Sequence, residues 1–565
     1  MDGDLLQKPA NRVDKIFASV QEKEQRKKEE KKQKKKEGKQ KPFKSKKKLD
    51  LELYDTQIDN YNIIDPGRFD PFLRQQSHFR EGVIIPKELQ LGLYDESGFF
   101  FGMTPYRNVY AGKPAHEEGH ILGFGLPGSG KTNGMLIPTM LTWRGIQIIV
   151  DVKGDLKNYW YRLARHTGKK LKIFSPGADE GATCGYDPFA LFRHDSIKKL
   201  AGNVRDLALA LIPLMESVKD PVWIKAAQNF LSGAFAYYFG LGATFAEAMI
   251  AIQLKDISEI MDDIMADDGD EDDQASIIAR LYMSKLRGVQ EKVVANIGME
   301  LGDLANLIAD PAIMKSYHDD EICGTLDWLE LTTTTEPFDV ILEFPEENLE
   351  QWRPLMMLMI NQLIKVLERR QPRTYDKNSE LPPVLVMLDE FPRLGKISAI
   401  KEGLATLRSR GVTFALFVQD LAQILEVYGS VSSISSVCAY KVVLNSSEPS
   451  TQKYCSDLVG TTESTQRSVN VTHDPISGRP ASFGKSISET RETIIYPEEF
   501  LTQKDVVVIN PHNRFFRVDK TLFAEHEKMF LYMAQQGWSE PTQTPLTRIA
   551  NRLKEEQHES NKQPL

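Results

Sequence analysis

The sequence predicts an α/β fold on a mainly parallel sheet, interrupted by an all-helical insertion. Three observations predict it. From about residue 82, short apolar runs alternate with helix-length segments. Between about 190 and 330 the pattern turns almost wholly helical, and from 338 strand-like runs resume. Alternation at this pitch marks βαβ units, which lay parallel strands side by side with helices on the faces.

In chain order, residues 121–125, 146–150 and 171–174 read as buried strands, separated by helical segments over 132–143 and 156–166. Helices are expected over 197–215, 222–239, 256–265 and 274–299. Strands follow over 338–344, 383–388, 412–418, 439–444 and 506–509, and an apolar helix pattern over 527–534 precedes a polar tail. No repeat at solenoid periods is visible.

Residues 226–246 carry no charge and are long enough to cross a bilayer. Gln228, Asn229, Ser232, Thr244 and three glycines interrupt them, so a buried helix and a turn are expected there. The run 354–364 is too short to span, and the first twenty residues lack a secretory core. A soluble chain is the expectation.

Charge is divided unevenly. The chain has 71 basic and 79 acidic side chains, net -8, yet residues 1–50 hold 18 Lys/Arg and 9 Asp/Glu, net +9. The remainder is therefore -17. The basic arm has too few apolar residues to offset its chain entropy and is expected to be disordered or a lone frayed helix. It suits an anionic lipid, nucleic acid or acidic partner, or is a solvated tail. The apolar content of 41% excludes a wholly disordered chain. Cys184, Cys323, Cys438 and Cys455 form no CxxC pair, which excludes a zinc ribbon and suits a reducing compartment.

The chemistry begins at Gly125-Leu-Pro127-Gly128-Ser129-Gly130-Lys131-Thr132, a complete G-x(4)-G-K-[ST] between a strand and a helix. Its glycines let backbone N–H groups face phosphates, and the helix adds its positive N-terminus. Lys131 is assigned to the β/γ-phosphate oxygens of ATP and Thr132 to Mg²⁺. The apolar strand ending in Asp389 and Glu390 supplies the second half, Asp389 for Mg²⁺ and Glu390 to polarise the attacking water. Gln419, at the tip of the 412–418 strand, is a candidate for the γ-phosphate or the water. A loop hydrogen bond is its alternative role. Arg408, Arg410 and Arg491 are candidates for a charge-neutralising arginine.

Two further signals carry nothing. His116-Glu-Glu-Gly-His120 matches the zinc-protease spacing, but Gly119 interrupts the helix such a site requires. The acidic run 262–273 fails the calcium-loop template, because Ile264 falls at the first ligand position. It reads as a solvated interhelical loop, with docking of a basic partner as the alternative.

These motifs, in this order, resemble the type IV secretion system coupling proteins, the TraG/TraD-like ATPases of conjugation. The resemblance runs from about residue 100 to about 525. It rests on His120 through Thr132, on Asp151-Val-Lys-Gly-Asp155-Leu, and on Leu388-Asp-Glu-Phe391 followed by Gly395-Lys-Ile397. Phe417-Val-Gln-Asp-Leu-Ala-Gln423 before Tyr428-Gly429, and Arg491 with Tyr496-Pro-Glu-Glu499, are similar to later family boxes. Tyr186-Asp-Pro-Phe carries Asp187 where the family usually has Asn. The resemblance implies a RecA-like P-loop domain with an inserted all-α domain. The expected partition is a basic arm (1–80), a nucleotide-binding domain in two parts (81–189 and 331–525), the insertion (190–330), and a C-terminal helix and tail (526–565).

The resemblance also implies a homo-hexameric ring with sites between subunits, Arg408 acting in trans, and DNA-stimulated ATP hydrolysis with Mg²⁺. Implied partners are DNA without sequence readout, a relaxase in its relaxosome or effector proteins, and the channel ATPases and inner-membrane components of the secretion system. The family usually carries N-terminal transmembrane helices, and the basic arm stands in their place. A bacterial cytoplasmic protein peripheral to the inner membrane is the expectation, at about 1 kcal/mol per basic residue near an anionic leaflet. Two rivals remain: a HerA/FtsK-like DNA pump, which the Asp151–Leu156 box and the insertion disfavour, and a substrate receptor or adaptor with little turnover, which the intact Lys131, Thr132, Asp389 and Glu390 disfavour.

Overall fold

The computed structural model describes residues 90–91, 98–103 and 110–522, the last range without 155, 157–168, 177–183, 215–220, 268–272, 287–290, 318–324, 373–380, 474–479, 511–514 and 521. The basic arm, nearly all of the expected 156–166 helix and the 527–534 helix lie outside the described residues.

Fourteen strands are described. They are β1 (Gln90–Leu91), β2 (Gly98–Met103), β3 (Tyr110–Pro114), β4 (Ile121–Phe124), β5 (Ile146–Asp151), β6 (Lys170–Phe174) and β7 (Phe338–Glu343). After these come β8 (Val384–Leu388), β9 (Val412–Val418), β10 (Tyr440–Val443), β11 (Thr461–His473), β12 (Pro480–Thr493), β13 (Asp505–Ile509) and β14 (Phe515–Asp519). Twelve form one sheet in the order β1-β3-β2-β14-β13-β10-β4-β9-β8-β5-β7-β6, and β11 with β12 forms a separate antiparallel ribbon.

From β10 to β6 every neighbouring pair is parallel. The β10 edge continues into antiparallel β13, β14, β2, β3 and β1. The central strands are Val/Ile/Leu-rich because both faces are covered. In β5, Ile148 and Val150 join the core on one face while Ile149 joins that on the other.

Ten of the helices matter here. They are α1 (Ile137–Thr142), α2 (Leu200–Leu211), α3 (Val222–Gly240), α4 (Phe245–Leu254) and α5 (Ile257–Ala266), then α6 (Gln274–Ser284), α7 (Glu291–Gly302), α8 (Leu349–Leu367), α9 (Ser398–Leu407) and α10 (Leu421–Tyr428). No strand of the large sheet lies between β6 and β7 among the described residues, so the segment joining them is helical, as expected.

The uncharged 226–246 run forms most of α3, then a turn at Gly242, then Thr244, whose hydroxyl and Glu247 build a capping box for α4. Among the described residues no helix is long and apolar enough to cross a membrane. The single helix expected over 274–299 is two, α6 and α7. α6 closes in a tightened turn, with the Lys285 and Leu286 N–H groups donating to carbonyls three residues back. Of the acidic run, Asp263 pairs with Lys255 at 2.9 Å and Asp273 caps α6.

Candidate nucleotide-binding and hydrolysis site

The C-terminal ends of β4, β9 and β8 converge on one edge of the sheet, with β9 between the other two. The phosphate loop leaves β4 and is pinned on both sides. The Gly125 N–H donates to the Val418 carbonyl at 3.1 Å, and the Leu126 N–H donates to Asn445 Oδ1 at 2.9 Å. Gly128 and Gly130 take φ of 74° and 92°, the left-handed region that side chains disfavour. Pro127 and Gly128 face solvent, whereas Ser129 and Lys131 are buried. A wide turn over Thr132–Leu136 leads directly into α1.

Lys131 Nζ donates to the Gly125 carbonyl at 2.8 Å. Burial holds its pKa below the usual lysine value, opposed by the charges of Asp389 and Glu390. Thr132 Oγ1 lies 3.4 Å from Asp389 Oδ2, so hydroxyl and carboxylate meet across the β9 strand. Burial pushes the Asp389 pKa up, with Lys131 and Lys153 opposing. Asp389 Oδ1 and Ser129 Oγ are both buried without a hydrogen-bond partner. Such orphaned oxygens are costly, and a ligand that satisfied them would remove the cost. A hydroxyl beside a carboxylate is a hard oxygen pair of the kind Mg²⁺ takes. The residues present therefore fit the cation and a phosphate.

Glu390 is buried and adopts φ 60° and ψ 44°. It is the one non-glycine residue with positive φ among those described. Its Oε1 pairs with Lys153, and its Oε2 lies 3.0 Å from Arg393 Nε. Arg393 also pairs with Glu346. Lys153 is set by the turn that follows β5. Asp151 accepts the Gly154 N–H through Oδ1 and the Leu156 N–H through Oδ2, each at 2.9 Å. Gly154 has φ 73°, so the turn requires glycine. Burial lowers the Lys153 pKa, but the bond to Glu390 and the nearby carboxylate charges outweigh it, and the net shift is upward.

Gln419 sits half-buried at the end of β9, its N–H donating to Gln423 Oε1 at 3.0 Å. The strand therefore carries it to the same edge as the phosphate loop. The acidic and glutamine boxes also touch: the Phe391 and Tyr428 rings stack at 5.2 Å.

Arg408 does not come to this edge. It precedes β9, about 20 Å away by strand rise, and pairs with Glu118 at 3.2 Å. The zinc-like spacing is likewise empty of metal chemistry. His120 accepts the Phe414 N–H at Nδ1 (3.0 Å) and donates from Nε2 to the Leu404 carbonyl (2.6 Å). Both ring nitrogens are used, and burial lowers the pKa to about 4. Asp187 accepts the Phe189 and Phe245 N–H groups at 3.0 and 3.3 Å and pairs with Arg193 at 2.8 Å, which ties the α4 start to the segment 187–193.

Sequence reasoning missed Lys153, Arg393 and Asn445 as site residues. Lys153 had a signal in the Asp-Val-Lys-Gly box. Asn445 had only its place just past a strand end.

This arrangement has relatives. Conjugal transfer protein TraG of Escherichia coli is 24% identical over 406 residues, 68% of this chain and 61% of that protein. Protein VirD4 of Rhizobium radiobacter is 26% identical over 355 residues, 61% of this chain and 48% of that one. The chain thus spans less than two thirds of the length of these curated relatives. Among solved structures, the conjugative coupling protein TrwBdeltaN70 in its unbound monoclinic form superposes with TM-score 0.54 at 16% identity, covering 74% of this chain and 89% of that one. TrwB with the ATP analogue ADPNP also gives TM-score 0.54, at 18% identity over 73% and 87%. These likenesses establish the RecA-like fold. A family model matches residues 111–513, well over half of the chain. Its span takes in the phosphate loop, the acidic strand and the helical segment between them, and the chain belongs to the family of type IV secretion-system coupling protein DNA-binding domains.

Proposed function

We propose that this chain hydrolyses ATP and uses the reaction to recruit and drive a DNA–relaxase or protein substrate into a type IV secretion channel. The observation that carries the reading is the meeting of Lys131, Thr132, Asp389 and Glu390 at one sheet edge from separate motifs. In this reading Gly125, Pro127, Gly128, Ser129 and Gly130 wrap the phosphates, and Lys131 holds the β/γ oxygens. Thr132 and Asp389 hold Mg²⁺, which when bound neutralises charge developing on the transferred phosphoryl group. Glu390 orients the water, Gln419 contacts the water or the γ-phosphate, and Arg408 serves a neighbouring subunit's site in a hexameric ring. Its distance from its own phosphate loop supports that last assignment.

The likeness to TrwB, whose complex with ADPNP is described, supports nucleotide use. The family's designation supports DNA as a partner, gripped through its backbone without base readout. The relaxosome, effector proteins, channel ATPases and inner-membrane components complete the partners, with the work done at the cytoplasmic face of the inner membrane. The partition into an insertion at 190–330 flanked by the two parts of the nucleotide-binding domain belongs to the same reading.

The test is ATP turnover with and without single-stranded DNA, for the full chain and for Lys131→Ala. Turnover that rises with DNA and vanishes in the variant supports the reading. Turnover that survives Lys131→Ala refutes it.

A further inference from the structure

The Glu390 carboxylate is paired with Lys153 at Oε1, while Oε2 lies 3.0 Å from Arg393 Nε as an ion pair without a hydrogen bond. A group that takes a proton from water must offer it a lone pair. Here Lys153 stands on the Oε1 side of the carboxylate and Arg393 beside Oε2, where a water would have to sit.

We propose that Lys153 is a positioning residue that withholds Glu390, and that hydrolysis requires the Lys153–Glu390 pair to open. The inference rests on the ATPase reading above. In the reaction, the water oxygen bonds to the γ-phosphorus and its proton passes to Glu390. The bond from that phosphorus to the β-phosphate bridging oxygen breaks, leaving ADP and inorganic phosphate.

Three features support withholding over simple packing. The first is construction. Asp151 spends both carboxylate oxygens on closing the turn that aims Lys153 from β5 at the adjacent strand β8. The second is asymmetry of exposure. The Lys153 side chain is 37% exposed and Glu390 only 7%, so the cation can swing away while the carboxylate stays in place. The Lys153 pKa is raised, so the pair is relieved by movement and not by loss of the lysine proton at neutral pH. The third is backbone. Glu390 sits in the left-handed region, which a side-chain-bearing residue keeps only when its surroundings impose it.

The network also has an outward lead. Arg393 bridges Glu390 to Glu346, in the turn that opens α8. α8 packs in turn on α2, in the helical segment. A shift in that segment therefore has a route to the carboxylate through side chains that already touch.

The experiment uses the full chain and compares steady-state turnover with nucleotide affinity, the latter read with a fluorescent ATP analogue. Lys153→Met is expected to raise turnover several-fold in the absence of DNA, with analogue affinity within twofold of wild type and a smaller ratio of DNA-stimulated to basal rate. Lys153→Arg, which keeps the charge, is expected to raise it less. Adding Glu390→Gln to Lys153→Met is expected to abolish the gain, which places the gain on the carboxylate.

Basal turnover in Lys153→Met equal to or below wild type, with affinity intact, overturns the inference and leaves the ATPase reading standing. Turnover absent from wild type and Lys153→Met alike, with the analogue bound, overturns both. If Lys153→Met fails to bind the analogue, Lys153→Gln removes the charge with a polar side chain and must show the same rise; a flat or lower rate there overturns the inference.

Discussion

The Thr132 hydroxyl lies 3.4 Å from the Asp389 carboxylate, joining the phosphate loop to the acidic strand across β9. Asp389 Oδ1 is buried and has no hydrogen-bond partner. Thr132→Ala and Asp389→Asn are expected to abolish Mg²⁺-dependent turnover while leaving Mg²⁺-free nucleotide binding largely intact. A loss of about 3 kcal/mol in barrier lowering is about 100-fold in rate. Turnover against Mg²⁺ concentration reads it, and a Mg²⁺ titration unchanged by both substitutions would refute the assignment.

The turn that presents Lys153 depends on Gly154, which has φ 73° and whose added Cβ would meet Glu343 Oε1 at 3.2 Å. Gly154→Ala is expected to destabilise the fold by about 1–2 kcal/mol. Denaturant unfolding measures the loss. Because the same turn aims Lys153, the basal rate should change as well.

His120 gives a pH test of stability. Its folded pKa is about 4 against an ordinary value of 6.5, because burial disfavours the imidazolium, with Lys113 and Arg408 adding repulsion and the Leu404 carbonyl opposing. The unfolded chain binds the proton more readily, so this stability is present above pH 6.5 and is lost as pH falls toward 4. The full loss is roughly 3 kcal/mol. In His120→Gln the slope of unfolding free energy over that window should flatten relative to wild type. Equal slopes in the two proteins would contradict it.

Arg408 tests whether the site is shared. Arg408→Ala and Lys131→Ala are each expected to be inactive, the first with nucleotide affinity retained. Mixed together under assembling conditions, they should regain measurable turnover, since some sites then unite an intact loop with an intact arginine. Persistent inactivity in the mixture, with assembly confirmed by mass, would place Arg408 outside the chemistry.

What was legible followed from physics that leaves local marks. β5, β8 and β9 are covered on both faces, so their sequences are mostly apolar, broken only by the buried Gln147, Asp151 and Thr413. The phosphate loop is contiguous in sequence because one short segment must surround one anion. β11 and β12 left no such mark, since their Ser/Thr-rich sequences carry little apolar alternation. The antiparallel edge of β1, β2, β3 and β14 was missed for a related reason: short pairings with no helical crossover lack the βαβ rhythm. Lys153 was visible within its box but not in its role, because its partner comes from another strand far along the chain. That partnership exists only once β5 and β8 are neighbours. Arg408 shows the converse: its spacing after the acidic strand suggested the site, and the fold leaves it before β9, paired with Glu118.

β9 lies between the strand that feeds the phosphate loop and the strand that ends at Asp389, with every residue buried. Strands sit about 4.8 Å apart, so β9 holds its two neighbours about 10 Å from each other. It acts as a gauge block for the site. Ala415 pairs with Ile121 on one side and Met387 on the other, with no exposed surface. Its methyl group joins the core layer of Met135, Leu136 and Ile137, so a larger side chain there would touch no ligand directly yet would push on the turn that follows Lys131.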